Sequence, residues 1–360
     1  MTPLAPPVAR AEEASPVDAV LAHAVGRGAS DIHVKTGDVI RARVDGKLVP
    51  LSDQPLGAAQ VQAIAERVVG DRRVRDALSG VREYDCSYGV PELGRFRVNL
   101  FRQRGSLMLV LRAIPMQIPT FEALRLPPVI ERLAQLERGM VVVTGVTGSG
   151  KSSTQASMIE FMNQRVHKHV VTLENPIEFL FRDKQCSITQ REVGPDTEDF
   201  AAGLRSAMRQ DPDVILIGEM RDAETMDIAL KAAETGHLVL STLHTPDTVT
   251  TIHRMLAVFP PLEQRSVRIR LAESLRAVVS QRLLLAKSGR GRVLASEVLV
   301  MTGAIRDKIT HDHPLEEIRD LMQEGEETYG SQTFDQNLER LVRQDLVTFE
   351  TALAASTSPA

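Results

Sequence analysis

The octapeptide GVTGSGKS, residues 145–152, restricts the possible folds of this chain more than any other stretch. It matches the pattern G-x-x-x-x-G-K-[ST], in which glycines let the backbone curl so that its amides point at phosphate oxygens. The apolar run MVVVT, residues 140–144, precedes it, and SSTQASMIEFMNQ, residues 152–164, is typical of a helix. This succession of strand, loop and helix predicts a phosphate-binding loop in an α/β domain, with the helix N-terminus adding positive potential.

The loop predicts how a nucleotide would be held. Lys151 would contact the β- and γ-phosphates of ATP, and Ser152 would ligate Mg²⁺. A glycine-rich turn that binds nothing is the alternative, but the flanking strand and helix favour nucleotide binding. The predicted nucleotide-binding residues are Gly145, Val146, Thr147, Gly148, Ser149, Gly150, Lys151, Ser152 and Ser153.

Further short apolar runs, at residues 169–173, 213–217 and 237–241, alternate with helical stretches after Leu126. This alternation is typical of a parallel sheet with crossover helices, whose strands end at one edge. ATP hydrolysis needs a carboxylate that positions or deprotonates water. Glu219 follows the second run and is the predicted catalytic carboxylate, although a lone glutamate at a strand end is more commonly just solvated. The other strand-end candidates are Glu174, Glu178, Thr242 and His244.

The rest of the chain predicts a second, smaller domain and the boundaries between the domains. Residues 17–112 predict a mixed α+β unit, with a turn at Asp45-Gly46 and a hairpin turning near Gly105. Pro115 and Pro119 lie in a predicted extended linker, residues 113–125, because proline fixes φ and removes a backbone donor. Residues 126–355 form the predicted ATPase domain, mostly helical after about Leu262. The Pro/Ala-rich residues 1–16 are expected to be disordered.

Composition limits which class of protein this chain can belong to and which cellular compartment is expected. The net charge of −4 argues against a protein whose main role is to coat nucleic acid, so no direct nucleic-acid partner is expected. Cys86 and Cys186 make no C-x-x-C pattern and are expected to be free thiols in a reducing compartment, although one bridge remains possible. No apolar run approaches membrane-spanning length. We therefore expect a cytoplasmic protein that reaches the inner membrane only through a partner.

These segments, in this order, resemble the type II/IV secretion ATPase superfamily, and within it the PilT-type retraction ATPases of type IV pili. GVTGSGKSS resembles the family's Walker A, LENPIEF its acidic box, DPDVILIGEMRD its Walker B and TGHLVLSTLHT its histidine box. Other similar stretches are GASDIHV, LGRFRVNLFRQRG, ITQREVG, VSQRLL and SQTFDQNL. The resemblance runs from about Ala19 to about Ala352.

The resemblance implies a PAS-like N-terminal domain, a linker and a RecA-like ATPase domain, assembled as a homohexamer. It also implies catalytic roles for Glu219, for Glu174 and Glu178 of the acidic box, and for His244. The resemblance also implies a Mg²⁺ contact for Glu174. By match to GRFRVN and LRAIP, Arg97 and Arg112 are the candidates to reach nucleotide at the subunit boundary, although each could be a solvated strand charge.

The function implied by the resemblance is an ATP-driven motor for pilus retraction and twitching motility. Two departures from the family pattern bear on this function. Asn175 replaces the usual aspartate of the acidic box, and AIRDKI, residues 304–309, departs at Asp307 and Lys308 from a motif tied to retraction. An accessory retraction motor beside a second motor ATPase is therefore one alternative. Two cysteines cannot build the tetracysteine zinc site of many extension ATPases, which favours the retraction branch.

The sequence leaves other functions open. A related ATPase for pseudopilus assembly, secretion or DNA uptake would share every motif. A nucleotide-gated scaffold that binds ATP without hydrolysis is supported only by Asn175, and intact Lys151, Ser152 and Glu219 argue against it. A nucleic-acid translocase would share the RecA-like core, but the acidic composition does not favour it. For the lead function, an inner-membrane platform protein of the pilus is the expected partner.

Overall fold

The computed structural model describes residues 15–115 and 117–357 and divides into two compact units, Met1–Met116 and Gln117–Ala360. Residues 1–14 of the segment expected to be disordered lie outside the described residues. Ser15 caps the first helix, which begins at Pro16, so the end of that segment is ordered. Among the described residues, no helix has the length and apolar character needed to cross a membrane.

The first unit is an antiparallel sheet with helices on one face. Its strands run in the order β3-β2-β1-β6-β5-β4. Alternate residues of β6 are buried, as expected for a sheet with one face on a core. The elements are α1 (Pro16–Gly26), β1 (Ala29–Lys35), β2 (Arg41–Val44), β3 (Lys47–Pro50), α2 (Ala58–Val68), α3 (Arg72–Asp76), β4 (Glu83–Val90), β5 (Gly94–Gln103) and β6 (Ser106–Ala113).

Turn residues connect these strands where the sequence predicts them. Asp45 and Gly46 adopt positive φ between β2 and β3, and Arg104 and Gly105 do so between β5 and β6. Such φ values suit two-residue hairpin turns, whose twist matches that of the strands. The core of this unit joins α1 and α2 to the sheet through residues such as Leu21, Val61 and Leu111.

The second unit is built on a seven-stranded sheet in the order β13-β12-β7-β11-β10-β8-β9. All neighbouring pairs are parallel except β12 and β13. The elements are α4 (Phe121–Leu124), α5 (Val129–Ala134), β7 (Gly139–Thr144), α6 (Lys151–Asn163), β8 (His169–Glu174), β9 (Ser187–Glu192), α7 (Phe200–Ala207), β10 (Val214–Ile217), α8 (Ala223–Glu234), β11 (Leu238–Leu243), α9 (Thr248–Ala257), α10 (Pro261–Ser274), β12 (Leu275–Leu285), β13 (Arg292–Val300), α11 (Gly303–Thr310), a 3₁₀ turn (Leu315–Glu317), α12 (Ile318–Glu324), α13 (Glu326–Tyr329), α14 (Phe334–Arg343) and α15 (Phe349–Ala355).

Hydrophobic cores on both faces explain the continuous apolar runs. Every residue of β7, β10 and β11 is buried. One core contains Met140, Ile215 and Val239, and the other contains Val141, Val214 and Leu240. Strands covered on both faces are apolar without alternation, which is the pattern that predicted a parallel sheet. The predicted α/β fold class is confirmed.

Two local expectations differ from the structure, and one strand was not expected. Residues 275–300, expected to be mostly helical, form the strands β12 and β13, while the chain beyond them is helical. Strand β12 pairs in parallel with β7, and this long-range pairing outweighs the helical interpretation of a run such as LRAVVSQRLLL. Strand β9 was not predicted. The stretch 113–125, expected to be an extended linker, contains the short helix α4.

Candidate functional site

Strands β7, β11, β10 and β8 end together at one edge of the second sheet. Leu243 pairs with Thr144, and Ile217 pairs with both Ser241 and Leu173. Gly218, just after β10, donates its amide to the carbonyl of Leu173 at 2.8 Å. The carboxyl ends of parallel strands are where open α/β sheets bind ligands. This register therefore brings the phosphate-loop candidates and the three acidic or histidine candidates to one edge.

The loop between β7 and α6 needs its glycines. Gly145, Gly148 and Gly150 have φ of +141°, +78° and +96°, in the region that side chains disfavour. A Cβ on Gly145 would lie 2.5 Å from the carbonyl oxygen of Gln281 and 2.5 Å from Oγ of Ser149. Gly145 therefore fills a position that no other residue can occupy without moving backbone.

Lys151 is folded over the loop. Its Nζ donates to the carbonyl oxygens of Gly145 at 2.8 Å and Val146 at 3.1 Å, and only 8% of the residue is exposed. Burial lowers the pKa of this ammonium, and the nearby Glu219 carboxylate opposes that shift. A buried cation at the start of a helix gives the loop a concentrated positive charge.

The loop suits a polyphosphate group in two further respects. Oγ of Ser149 is buried and has no hydrogen-bond partner among the described residues, so a donor inside the loop is left for a ligand. Ser152, in the first turn of α6, is exposed and offers a hydroxyl to solvent or a cation. Buried lysine, unpaired hydroxyl and helix start together fit the phosphates of a nucleotide with its magnesium ion.

Glu219 and His244 lie together beside Lys151. Nε2 of His244 lies 3.7 Å from Oε2 of Glu219, and Nε of Arg221 lies 2.7 Å from the same oxygen. Burial lowers the pKa of His244 below its ordinary value of 6.5, and the Lys151 and Arg221 charges act in the same direction while Glu219 opposes them. His244 is therefore mainly neutral at pH 7, which leaves it able to donate or accept a hydrogen bond.

Glu174 is buried, with 8% of the residue exposed. Its Oε1 accepts from Oγ1 of Thr172 at 2.6 Å and from Nε2 of Gln190 at 3.1 Å. Its Oε2 accepts from the backbone amide of Glu178 at 3.3 Å. Burial raises the pKa of this carboxyl against these hydrogen bonds. Oε1 already accepts two hydrogen bonds, so a contact from Glu174 to a metal ion could only come from Oε2.

The other acidic-box candidates are at the surface. Glu178 and Asn175 are both exposed, on the turn that follows β8. Glu178 is close enough to Glu174 for its charge to add to the rise in the pKa of Glu174. Asn175 therefore lies on the solvent side of this carboxylate pair.

Two further side chains support the site: Gln281, which was not predicted from the sequence, and Thr242, a predicted strand-end candidate. Nε2 of Gln281, on β12, donates to Oγ1 of Thr154 at 2.6 Å, so this strand is held to the phosphate-loop helix. Oγ1 of Thr242 donates to the carbonyl of Gly218 at 2.6 Å and thereby joins β11 to the residue before Glu219. In the sequence, Gln281 is recognisable only as a polar residue inside an apolar run. It lies next to the phosphate loop because β12 pairs with β7.

A chain of buried hydroxyls lies beneath the loop. Oγ1 of Thr144 lies 2.7 Å from Oγ of Ser280, and Oγ1 of Thr251 lies 3.5 Å from Oγ1 of Thr144. Oγ1 of Thr245, just after His244, lies 2.7 Å from Oγ1 of Thr251. The chain connects the end of the phosphate-loop strand to the segment that carries His244. Serine and threonine are too common for sequence spacing alone to reveal it.

Arg97 and Arg112 lie in the first unit. They are directly opposite each other on β5 and β6, and Asp31 of β1 is opposite Arg112 on the other side. Nε of Arg112 donates to Oδ1 of Asp31 at 2.7 Å. Burial raises the pKa of Asp31, but the hydrogen bonds from Arg112 and Ser30 outweigh it and keep the pKa below its ordinary value. Arg97 is exposed next to this pair.

Comparison with known proteins decides the family. The model of the family described as type II/IV secretion system protein matches residues 10–289. The chain belongs to this family. The predicted resemblance to its PilT-type members is also confirmed: the chain is 43% identical over 333 residues to the type IV pilus retraction ATPase PilT of Pseudomonas aeruginosa, covering 92% of this chain and 96% of that protein.

One further relative and one solved structure show which members of the type II/IV secretion family this chain resembles. The type IV pilus ATPase PilU of Pseudomonas aeruginosa is 38% identical over 336 residues, which cover 93% of this chain and 87% of that protein. A crystal structure of the pilus retraction motor PilT with bound ADP superposes with a TM-score of 0.86 at 44% identity, covering 96% of this chain and 98% of that one. The chain thus shares both sequence and fold with PilT along nearly its entire length.

Proposed function

We propose that this protein is an ATPase motor that drives retraction of type IV pili and so twitching motility. The observation that carries the proposal is the joint placement of Lys151, Glu219 and His244 at one sheet edge, in a chain that matches PilT along almost its full length. A phosphate loop alone supports binding, whereas a loop facing a carboxylate and a neutral histidine supports hydrolysis.

Nucleotide is held by the loop in this proposal. The amides of residues 145–153 and the Lys151 ammonium bind the phosphates of ATP. The Ser152 hydroxyl holds Mg²⁺, with Oε2 of Glu174 as the second candidate contact. The bound ion neutralises phosphate charge and orients the phosphates. Moving Lys151 from its two carbonyl partners onto a phosphate replaces neutral acceptors by a charged one, which is the stronger hydrogen bond.

Glu219 positions and deprotonates the attacking water. The carboxylate is 15% exposed and is oriented by Arg221 and by the fixed strand end at Gly218. The neutral imidazole of His244 senses the phosphate of the nucleotide. A movement of this side chain would then move the residues that follow β11. Glu178 contributes negative charge beside Glu174 at the entrance to the same edge.

Assembly completes the site in this proposal. We place six copies of the chain in a ring, with Arg97 and Arg112 of one copy directed at nucleotide bound by a neighbour. Positive charge supplied across an interface stabilises the charge that develops on a transferred phosphoryl group. A nucleotide-dependent change between the two units of each copy would then act on a platform protein at the cytoplasmic face of the inner membrane.

The test combines turnover with mass in solution, measured on the wild type and on Glu219→Gln. We expect a hexamer that hydrolyses ATP, and a variant hexamer that binds ATP without turnover. Expression in a bacterium that lacks its retraction ATPase should restore twitching with the wild type only. A hexamer without turnover in the wild type would instead support the nucleotide-gated scaffold.

An accessory retraction motor is the second candidate. The match to PilU and the departures at Asn175, Asp307 and Lys308 favour it. In this case the chain would hydrolyse ATP but would restore retraction only beside a second motor ATPase. Complementation of hosts with and without that second motor separates the two roles, since only an independent motor works alone.

A further inference from the structure

The end of α11 carries three potential metal ligands that the nucleotide site does not use. Asp307, His311 and His313 each offer one ligand atom, and these atoms lie within 4.8 Å of one another. All three residues are exposed, so a cation could reach them without a conformational opening. They lie in the sequence DKITHDH, which overlaps the AIRDKI segment.

The backbone holds this group in place. The His311 amide donates to the Asp307 carbonyl at 3.0 Å, and the His313 amide donates to the Lys308 carbonyl at 3.1 Å. Between them, Asp312 has a φ of +58°, a turn conformation that aspartate tolerates better than most residues. Arg268 of α10 contacts the Asp312 carboxylate at 2.7 Å. The turn is therefore anchored to a neighbouring helix rather than free in solvent.

An ordinary helix pair explains only part of the arrangement. Nδ1 of His311 lies 3.0 Å from Oδ1 of Asp307, the usual i,i+4 contact. His313 is beyond the helix, yet its ring centroid lies 6.2 Å from that of His311 because the chain turns back. In a tetrahedral zinc site with bonds of ~2.0–2.1 Å, neighbouring ligand atoms are ~3.3 Å apart. The three ligand atoms lie within 4.8 Å of one another, so the exposed side chains would have to rotate toward the ion to reach that spacing.

We propose that Asp307, His311 and His313 form a surface site for a divalent transition metal of the zinc type. Two imidazoles and one carboxylate suit zinc, cobalt, nickel or copper, whereas magnesium and calcium prefer oxygen ligands. Three protein ligands leave one position open, and the carboxylate of Glu317, whose partner is Lys308, is a further acid on that side. The site is separate from the nucleotide site, and it does not depend on the proposed motor function.

Occupancy would stiffen the contact between α10 and α11. Arg306 donates from Nε to the Ala272 carbonyl at 3.3 Å, and Arg268 donates to the Ile309 carbonyl at 3.2 Å. A metal that ties Asp307 to the turn beyond the helix would oppose fraying of the last turn of α11. Asp307 would then have a ligand role at the end of α11.

The experiment uses the full chain without a polyhistidine tag, freed of nucleotide and treated with chelator. Zn²⁺ binding is measured by calorimetry, and Co²⁺ absorption reports coordination geometry. We expect one site per chain. His313→Ala and Asp307→Asn should each weaken it by about tenfold or more, since even changes to residues that only orient a ligand cost about 10–100-fold. His167→Ala, which removes another exposed histidine of the same unit, should bind as the wild type does.

Two results would overturn the proposal. One is a wild-type chain in which calorimetry detects no Zn²⁺ site with a Kd of about 100 μM or tighter. The other is a site that His313→Ala and His167→Ala affect equally. Because Asp307, His311 and His313 are exposed, their substitution should leave the fold intact, and circular dichroism of each variant checks this.

Discussion

Nε2 of His244 lies 3.7 Å from Oε2 of Glu219, although the two residues follow different strands and are 25 positions apart in the chain. The hydrogen bond from Thr242 to the Gly218 carbonyl fixes the two strand ends that carry them. The pair therefore forms from strand order and register, and its electrostatics can be tested by changing its neighbours.

The pKa of His244 should respond in opposite directions to two neighbouring changes. We expect a value below 6.5 in the wild type, because burial and the Lys151 charge both favour neutral imidazole. Lys151→Met should raise this pKa, and Glu219→Gln should lower it further. Histidine NMR titration measures both shifts, with His244→Gln identifying the resonance. Shifts of the same sign in both variants would contradict this arrangement of charges.

The same lowered pKa predicts a pH dependence of stability. Folded His244 binds fewer protons than the unfolded side chain near pH 6, so stability falls as the pH drops below the unfolded pKa of about 6.5. His244→Gln should therefore reduce the slope of the thermal midpoint against pH between about pH 5 and pH 7.

Turnover should depend on Glu219 far more than nucleotide binding does. Glu219→Gln keeps the shape and one hydrogen-bond acceptor but removes the base, so kcat should fall by about 10²–10⁴-fold. Affinity for ATP should change little, since Lys151 and the loop amides remain. Steady-state hydrolysis and binding of a fluorescent ATP analogue give the two values. Glu224→Gln, an exposed neighbour on α8, is the control and should retain full activity.

Two glycines of the loop should tolerate alanine very differently. Gly145→Ala places a Cβ 2.5 Å from the Gln281 carbonyl, so β12 or the loop must move and nucleotide binding should be lost. Gly148→Ala meets nothing within 4 Å and carries only the strain of a positive φ, about 1 kcal/mol. ATP affinity of both variants distinguishes the two cases. Equal losses would mean that the close approach of β12 does not matter for the loop.

The phosphate loop and the strand-end candidates could be predicted from the sequence because their signals are local. The motif GVTGSGKS identifies the glycines and the lysine of the phosphate loop directly. Unbroken apolar runs such as VILI identify strands buried on both faces. Parallel strands end at one edge of their sheet, and this rule alone places Glu174, Glu219 and His244 together.

The remaining features depend on pairings that no local pattern encodes. Strand β12 has no alternation, so its apolar run is compatible with a helix unless its pairing with β7 is taken into account. The closeness of Gln281 to Gly145 follows from that pairing. The depth of Glu174 depends on Thr172 and Gln190, which come from β8 and the unpredicted β9. The pair of Arg112 with Asp31 likewise requires the register of β1 against β6.

The buried hydroxyls beneath the loop should behave as one unit. Thr144→Val leaves Oγ of Ser280 fully buried without its partner, so we expect a loss of about 1–3 kcal/mol in the free energy of unfolding. Ser280→Ala should cost a similar amount, because Thr144 then loses its closest hydroxyl. The double variant replaces both partners by apolar groups and should be less destabilised than the sum of the two. Thermal unfolding of the four nucleotide-free proteins measures this coupling, and additive losses would show that the hydroxyl pair contributes no interaction of its own.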